Sequence, residues 1–304
     1  MPIQLKPVTF ESLDDLKRFL PAKGTGDCNL SVASLIARAQ ERETHYAIVN
    51  DTLVIRWRAA AGEPFVWLLP IGCDCCPCVL AEMESWSEKK GEPLRLFGNL
   101  TELVPAVEKA LPYRTLSMTT KTAWWDYLYK RDDIESLRGR KLHGKRNFSK
   151  RFWTAYPHAR FVPITSETIP LCREFLTRWY ARFDEMSESM KDEARAIEMA
   201  FDHFDTMELQ GGLLMVGDRV CGFSYGARLT ETMFAVHIEK ADREVVGAYP
   251  ALASELARSL PDEIEWLNRE EDLGIDGLRK AKQDWSPAAM FEKGYVTLEP
   301  SKRA

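Results

Sequence analysis

The sequence predicts a mixed α/β chain in which one order of elements is used twice. Three observations carry that expectation. Some stretches space their apolar residues at helical intervals, and others run as short β-branched or aromatic segments. Asn50-Asp51, Ala61-Gly62 and Gly217-Asp218 fall between such segments as turn signals. At 304 residues the chain is long enough for two ordinary domains, which run roughly 100–200 residues each.

Taken in order, ESLDDLKRFLP reads as a short helix stopped by Pro21, and NLSVASLIARAQER as a better one. HYAIVNDTLVIRWRAAAGEPFVWLLPIG reads as three strands. Helix VLAEMESWSEKKG, strand PLRLFGN, helix LTELVPAVEKAL and strand YRTLSMTT follow. The second half repeats the order. IPLCREFLTRWYARF and the more polar ESMKDEARAIEMAFDHF are helices. GLLMVGDRVCGFSYGARLTETMFAVHIEKA holds three strands, with Leu229-Thr230 as its second turn. Helix PALASELARSLP, strand EIEWLNRE, helix GIDGLRKAKQDW and strand MFEKGYVTLEP close the chain. The repeat is one of architecture and not of letters. It divides the chain into a first domain over 1–120, a helical connection over 121–157 and a second domain over 158–304. This order matches the fold of the GCN5-related N-acetyltransferases used in tandem, each domain a mixed, mostly antiparallel sheet flanked by helices.

A formal net charge of -5 argues against general coating of nucleic acid, DNA included, so any polyanion must meet a local patch. No run approaches the roughly 18 apolar residues of a membrane span, and the first residues lack a signal-peptide core. The expectation is a cytoplasmic protein. Four of the seven cysteines sit in CDCCPC, at Cys73, Cys75, Cys76 and Cys78. No second Cys or His pair follows to complete a zinc site, so this reads as a loop of reduced thiols or as a soft-metal or redox site. Cys28, Cys172 and Cys221 read as packing residues, and no metal is expected.

The local patch is KLHGKRNFSKRF, Lys141 to Phe152, with five Lys or Arg and no acid. On a helix over 141–156, Leu142, Phe148, Phe152, Trp153 and Tyr156 gather on one side. Lys141 and Lys145 share that side and Arg146 lies at its edge. A lysine there either snorkels out along its stem or meets an anion. Gly144 marks a break in the helix, and Asn147 lies within the run. The second dense cluster is WLNREEDLGIDGLRKAKQDWSP. Asp272 is placed to cap the helix that carries Ile275, Leu278, Lys282 and Trp285 on one face, with Arg279 at its edge. Lys282 reads either as an ion pair with Glu270, Glu271 or Asp272, or as a cation for a substrate carboxylate or phosphate.

YLYKRDDIESLRGRKLHGKRNFSKRF, VHIEKADREVVGAYPALASELA and WLNREEDLGIDGLRKAKQDWSP together resemble the phosphatidylglycerol lysyltransferase C-terminal-domain family. The resemblance is strongest from Leu111 to Thr297, and the family's tandem fold would cover nearly the whole chain. It implies transfer of an amino acid from aminoacyl-tRNA to an amine or hydroxyl, on a small-molecule or lipid-headgroup acceptor. The peptidoglycan-bridge Fem transferases resemble this family in fold and donor. On this reading Lys141, Lys145, Arg146, Lys282 and Arg279 contact anionic groups or the oxyanion. Asn147 and Asn268 orient the substrate, and Asp272 or Glu270 takes the acceptor's proton. Trp124, Trp125, Tyr127, Tyr129, Phe148 and Trp153 either stack a terminal adenine or belong to the core. No cofactor is expected. The alternatives are a donor of acyl-CoA, or a non-catalytic binder of tRNA or a metabolite. Against acyl-CoA, Arg243-Glu-Val-Val-Gly247 carries a single glycine where a pyrophosphate loop would need more.

Overall fold

The computed structural model describes residues 3–21, 24–59, 62–72 and 76–299. The first half runs β1 (Lys6–Pro7), α1 (Leu13–Lys17), α2 (Val32–Ala37), β2 (His45–Val49), β3 (Thr52–Trp57) and β4 (Val66–Leu68). It continues with α3 (Cys76–Lys90), β5 (Leu94–Asn99), α4 (Leu100–Ala110) and β6 (Leu116–Thr120). The middle holds β7 (Asp126–Lys130), α5 (Arg131–Ser136), α6 (His143–Ala155) and β8 (Arg160–Pro163). Then come α7 (Ile169–Tyr180), α8 (Glu188–Asp202), β9 (Gln210–Val216), β10 (Arg219–Arg228) and β11 (Met233–Ala241). The chain closes with α9 (Ala248–Ser259), β12 (Trp266–Asn268), α10 (Asp276–Gln283), β13 (Ala289–Phe291) and β14 (Lys293–Leu298).

Two seven-stranded sheets result, ordered β1-β2-β3-β4-β5-β14-β6 and β13-β7-β12-β11-β10-β9-β8. The registers resolved in them are antiparallel except β4–β5 and β11–β12, which are parallel. Each parallel pair is joined through a helix, α3 in one and α9 in the other, because parallel strands need a long crossover. Hairpins follow the turn residues. Val49 pairs with Thr52 across Asn50 and Asp51, both at positive φ (49° and 54°), the backbone that matches strand twist. Gly217 does the same between β9 and β10. The turn expected at Ala61 lies outside the described residues.

Packing divides the chain into two units. The first takes Met1–Asp126, Glu271–Ile275 and Phe291–Ala304; the second takes Tyr127–Glu270 and Asp276–Met290. This differs from the sequence division at both ends. The stretch 121–157 is not wholly helical, since β7 inside it pairs with β12 in the second sheet. Its Tyr127 and Tyr129 are buried aromatic residues suited to a strand. MFEKGYVTLEP is two strands in different sheets. β13 edges the second sheet, whereas β14 lies between β5 and β6 in the first.

The first unit packs α3 and α4 on its sheet around Trp67, Leu80, Met83, Leu96 and Val296. In the second unit, Phe234, Leu256, Leu267 and Trp285 form one core and Phe152, Leu214, Ala251 and Leu252 another. α6 therefore faces inward through Phe152 and Ser149, while Phe148 is exposed and off the expected apolar face. Gly144 sits in the first turn of this helix and breaks nothing.

Candidate functional site

In the second unit, β11 pairs with β12 only as far as Ala235 opposite Asn268. β12 stops there and β11 runs on to Ala241. The carboxyl end of a parallel pair where strands part company is a common ligand crevice. Four titratable side chains meet at it. His237 and Glu239 stand two residues apart on β11, and Arg269 and Glu270 follow β12 directly. His237 Nδ1 lies 2.7 Å from Glu270 Oε1, and Arg269 Nη2 donates to Glu239 Oε1 at 2.6 Å.

The backbone enforces this arrangement. Asn268 is fully buried and its Oδ1 accepts the Glu270 N–H at 2.8 Å. Glu270 itself has φ +60°, a left-handed conformation that ordinarily costs a non-glycine residue stability and that concentrates at functional sites. The turn brings the carbonyls of Arg269 and Glu270 together. Lys282 of α10 donates to both, at 3.0 Å to the Glu270 oxygen. Its own carbonyl accepts the Tyr129 hydroxyl at 2.7 Å. Lys282 thus braces α10 against the strand end through these two carbonyls.

The other sequence candidates separate. Asp272 falls in the first unit, fully buried, and accepts the Gly274 N–H at 2.8 Å. It shapes the turn that leads to α10, which begins at Asp276. Ile275, expected on the apolar stripe, is exposed in that turn. Arg279 pairs with Asp276 at 3.5 Å. On α6, Arg146 donates to the carbonyls of Leu137 (2.9 Å) and Gly139 (3.3 Å), clamping the end of α5. Asn147 is exposed beside the His143 ring. Lys141 is exposed, and neither it nor Arg138, Arg140, Lys150 or Arg151 enters an ion pair among the described residues. An open groove of about 490 Å³ runs past Leu137, Arg146, Ser149, Lys150, Trp153 and Arg258. Lys145 is half-buried, its Nζ 4.9 Å from the centre of the Trp285 ring. Burial holds Lys145 below its ordinary pKa, and the field of Arg269 adds to this against Asp284 and Glu239.

Of the aromatic candidates, Tyr127 and Tyr129 are core and Trp124 packs on Phe97 and Tyr295. Sequence reasoning passed over His237, Glu239 and Arg269. The signal was the alternation in VHIEK, which sets two titratable side chains on one face of an otherwise apolar strand.

At the start of α9, Gly247 has φ +85°, and a Cβ there would stand 2.0 Å from the Phe148 carbonyl oxygen. α6 is therefore seated directly on this helix terminus. The Ala248 N–H is already spent on Val245 O at 3.1 Å, and Pro250 has none to offer. The backbone donors that cradle a pyrophosphate are largely missing.

A second charged cluster lies in the first unit. Lys293 is 1% exposed, and its Nζ lies 2.6 Å from Asp126, 3.4 Å from Glu271, 3.6 Å from Asp27 and 3.5 Å from the Cys28 thiol. Burial alone would lower its pKa, but the surrounding anions outweigh that and hold it well above the ordinary lysine value. Glu271 answers in kind. Burial raises it, and Lys293 with Arg42 more than offsets this, leaving it well below the ordinary carboxylate range. Of the clustered cysteines, Cys73 and Cys75 lie outside the described residues, and Cys78 is exposed.

The family model of the phosphatidylglycerol lysyltransferase C-terminal domain matches residues 23–297. A conserved protein of unknown function from Bacteroides thetaiotaomicron is 32% identical, with a TM-score of 0.90 over 97% of this chain and 99% of its own. L-PGS from Bacillus licheniformis is 14% identical, with a TM-score of 0.65 over 98% of this chain and 94% of that one. FemX is 8% identical, with a TM-score of 0.59 over 97% of each chain. The last two likenesses are of fold alone. No curated protein matches the chain. No helix among the described residues is long and apolar enough to cross a membrane. By its matching model and its repeated architecture, the chain belongs to the phosphatidylglycerol lysyltransferase C-terminal-domain family and has tandem GCN5-related N-acetyltransferase-like domains.

Proposed function

We propose that the chain is an aminoacyltransferase that takes its amino acid from aminoacyl-tRNA and passes it to an amine or hydroxyl acceptor. One observation carries this reading: the seating of α6 on the start of α9. It closes the terminus an acyl-CoA pyrophosphate would need. The same helix, with the loop before it, carries cations without ion-pair partners, a surface suited to a phosphate backbone. The family's lysyltransferase name and the FemX likeness support the same class of donor.

In this mechanism the acceptor's nitrogen or oxygen attacks the ester carbonyl of the donor. A new C–N or C–O bond forms, and the C–O bond to the terminal ribose breaks. Glu270 takes the acceptor's proton and returns it to the ribose oxygen, which leaves as a hydroxyl. His237 fixes the Glu270 carboxylate, and Asn268 fixes its backbone. Holding donor and acceptor together supplies most of the acceleration, and no covalent enzyme intermediate is required.

The test is binding of charged and uncharged tRNA, and of acetyl-CoA, to the purified protein at low and at physiological salt. A preference for charged tRNA that weakens with salt is expected, and it should fall in Lys145→Met. Saturable micromolar acetyl-CoA binding without a tRNA preference would overturn the reading.

A further inference from the structure

We propose that Arg269 and Lys145, gathered on Trp285, form a binding site for a phosphate group. Arg269 lies 4.9 Å from the centre of the Trp285 ring and 5.5 Å from that of Tyr129. Its Nη2 is committed to Glu239. Its Nη1 is shut away from solvent and has no acceptor among the described residues. A buried charged donor without an acceptor is among the costlier things a protein can keep, and such groups call for an explanation.

Lys145 brings a second cation to the same indole from α6. Burial lowers the lysine pKa, and the field of Arg269 adds to that effect. Among the described residues Glu239 is the one carboxylate bonded to Arg269, and exposed Asp284 acts on Lys145 through its field. Donor capacity is therefore unused in two places among the described residues, at one guanidinium N–H and at the Lys145 ammonium. An oxyanion with several acceptor oxygens satisfies both at once, accepting from Nη1 and from the lysine ammonium. The indole and the Tyr129 ring hold the guanidinium plane in place beforehand.

The site stands whichever group is transferred; only the source of the phosphate rests on the aminoacyl-tRNA reading. Two sources share the chemistry. One is a phosphate of the donor's terminal nucleotides, and the other is a phosphate on the acceptor.

Calorimetric titration of the full chain with inorganic phosphate at constant ionic strength tests the proposal. Saturable binding is expected. It should weaken about tenfold or more in Lys145→Met and in the double variant E239Q/R269M, which removes the pair together and strands no carboxylate. Melting curves of both variants confirm that they fold. No saturation in the native chain, or equal affinity in native and both folded variants, would overturn the site. Adenosine monophosphate binding more tightly than glycerol 3-phosphate assigns the site to the donor, and the reverse assigns it to the acceptor. If phosphate binds as expected and charged tRNA is not preferred, the site holds and the donor reading fails. If charged tRNA is preferred while phosphate affinity is unchanged in the variants, the donor reading holds and the site fails.

Discussion

The two units each bury a charged cluster, and the clusters differ in closure. In the first unit, Lys293 is enclosed by Asp27, Asp126, Glu271 and the Cys28 thiol, so its ammonium faces three carboxylates and a sulfur within 3.6 Å. In the second, Arg269 has one donor left over, Lys145 is half-buried, and the Glu270 carboxylate stays partly exposed on a left-handed residue. A closed cluster meets its own charges and acts on stability. An open one keeps unmet hydrogen-bonding capacity and backbone strain, which a fold tolerates where binding or chemistry uses them. Charge and burial alone do not separate the two kinds; the count of partners does.

The largest expected effect breaks the closed cluster. Lys293→Met leaves two buried carboxylates, Asp27 and Asp126, and the partly buried Glu271 without their cation and should cost about 3–5 kcal/mol, seen as a lower denaturant midpoint at unchanged slope. Its pH dependence sharpens the same point. Glu271 is depressed in the folded state, so its contribution is present above the value of about 4.5 of a free glutamate and is lost as pH falls through the folded value. Lys293 is raised, so its contribution is present below the free-lysine value and is lost only in strong alkali. Melting temperature should therefore fall on acidification below about pH 4.5, and Glu271→Gln should flatten that fall. In the second unit, Lys282→Ala removes two charged hydrogen bonds to carbonyls and should cost about 1.5–3 kcal/mol in the same denaturant measurement. A Lys282→Ala chain of native stability that has lost transfer would instead make Lys282 a substrate contact.

Much of the fold was legible. Asn50-Asp51 and Gly217-Asp218 turn where their backbone freedom suggests, and the helices fall on the periodic stretches. The change of sheet between Phe291 and Lys293 was not legible, because Glu292 alone separates the two strands and both halves read as one strand. Nor was the Lys293 cluster, whose acids come from three separate segments that only tertiary structure assembles. Of the site, Glu270, Asn268, Lys145 and Lys282 stood out as polar residues in dense motifs. Arg269 did not, since in NREED a charged residue after a strand reads as solvated loop. Its role depends on being covered by Trp285 and Tyr129, which spacing along the chain does not reveal.

The central claim is that the open cluster of the second unit works on an aminoacyl ester. Its most direct test is release of amino acid from a mixed pool of charged tRNA in the presence of a simple amine, for the native chain and for Glu270→Gln. The native chain should form the amide, and Glu270→Gln should slow it at least about 100-fold while melting at nearly the native temperature. Equal rates in the two proteins, or no amide from either above the uncatalysed background, would contradict the account.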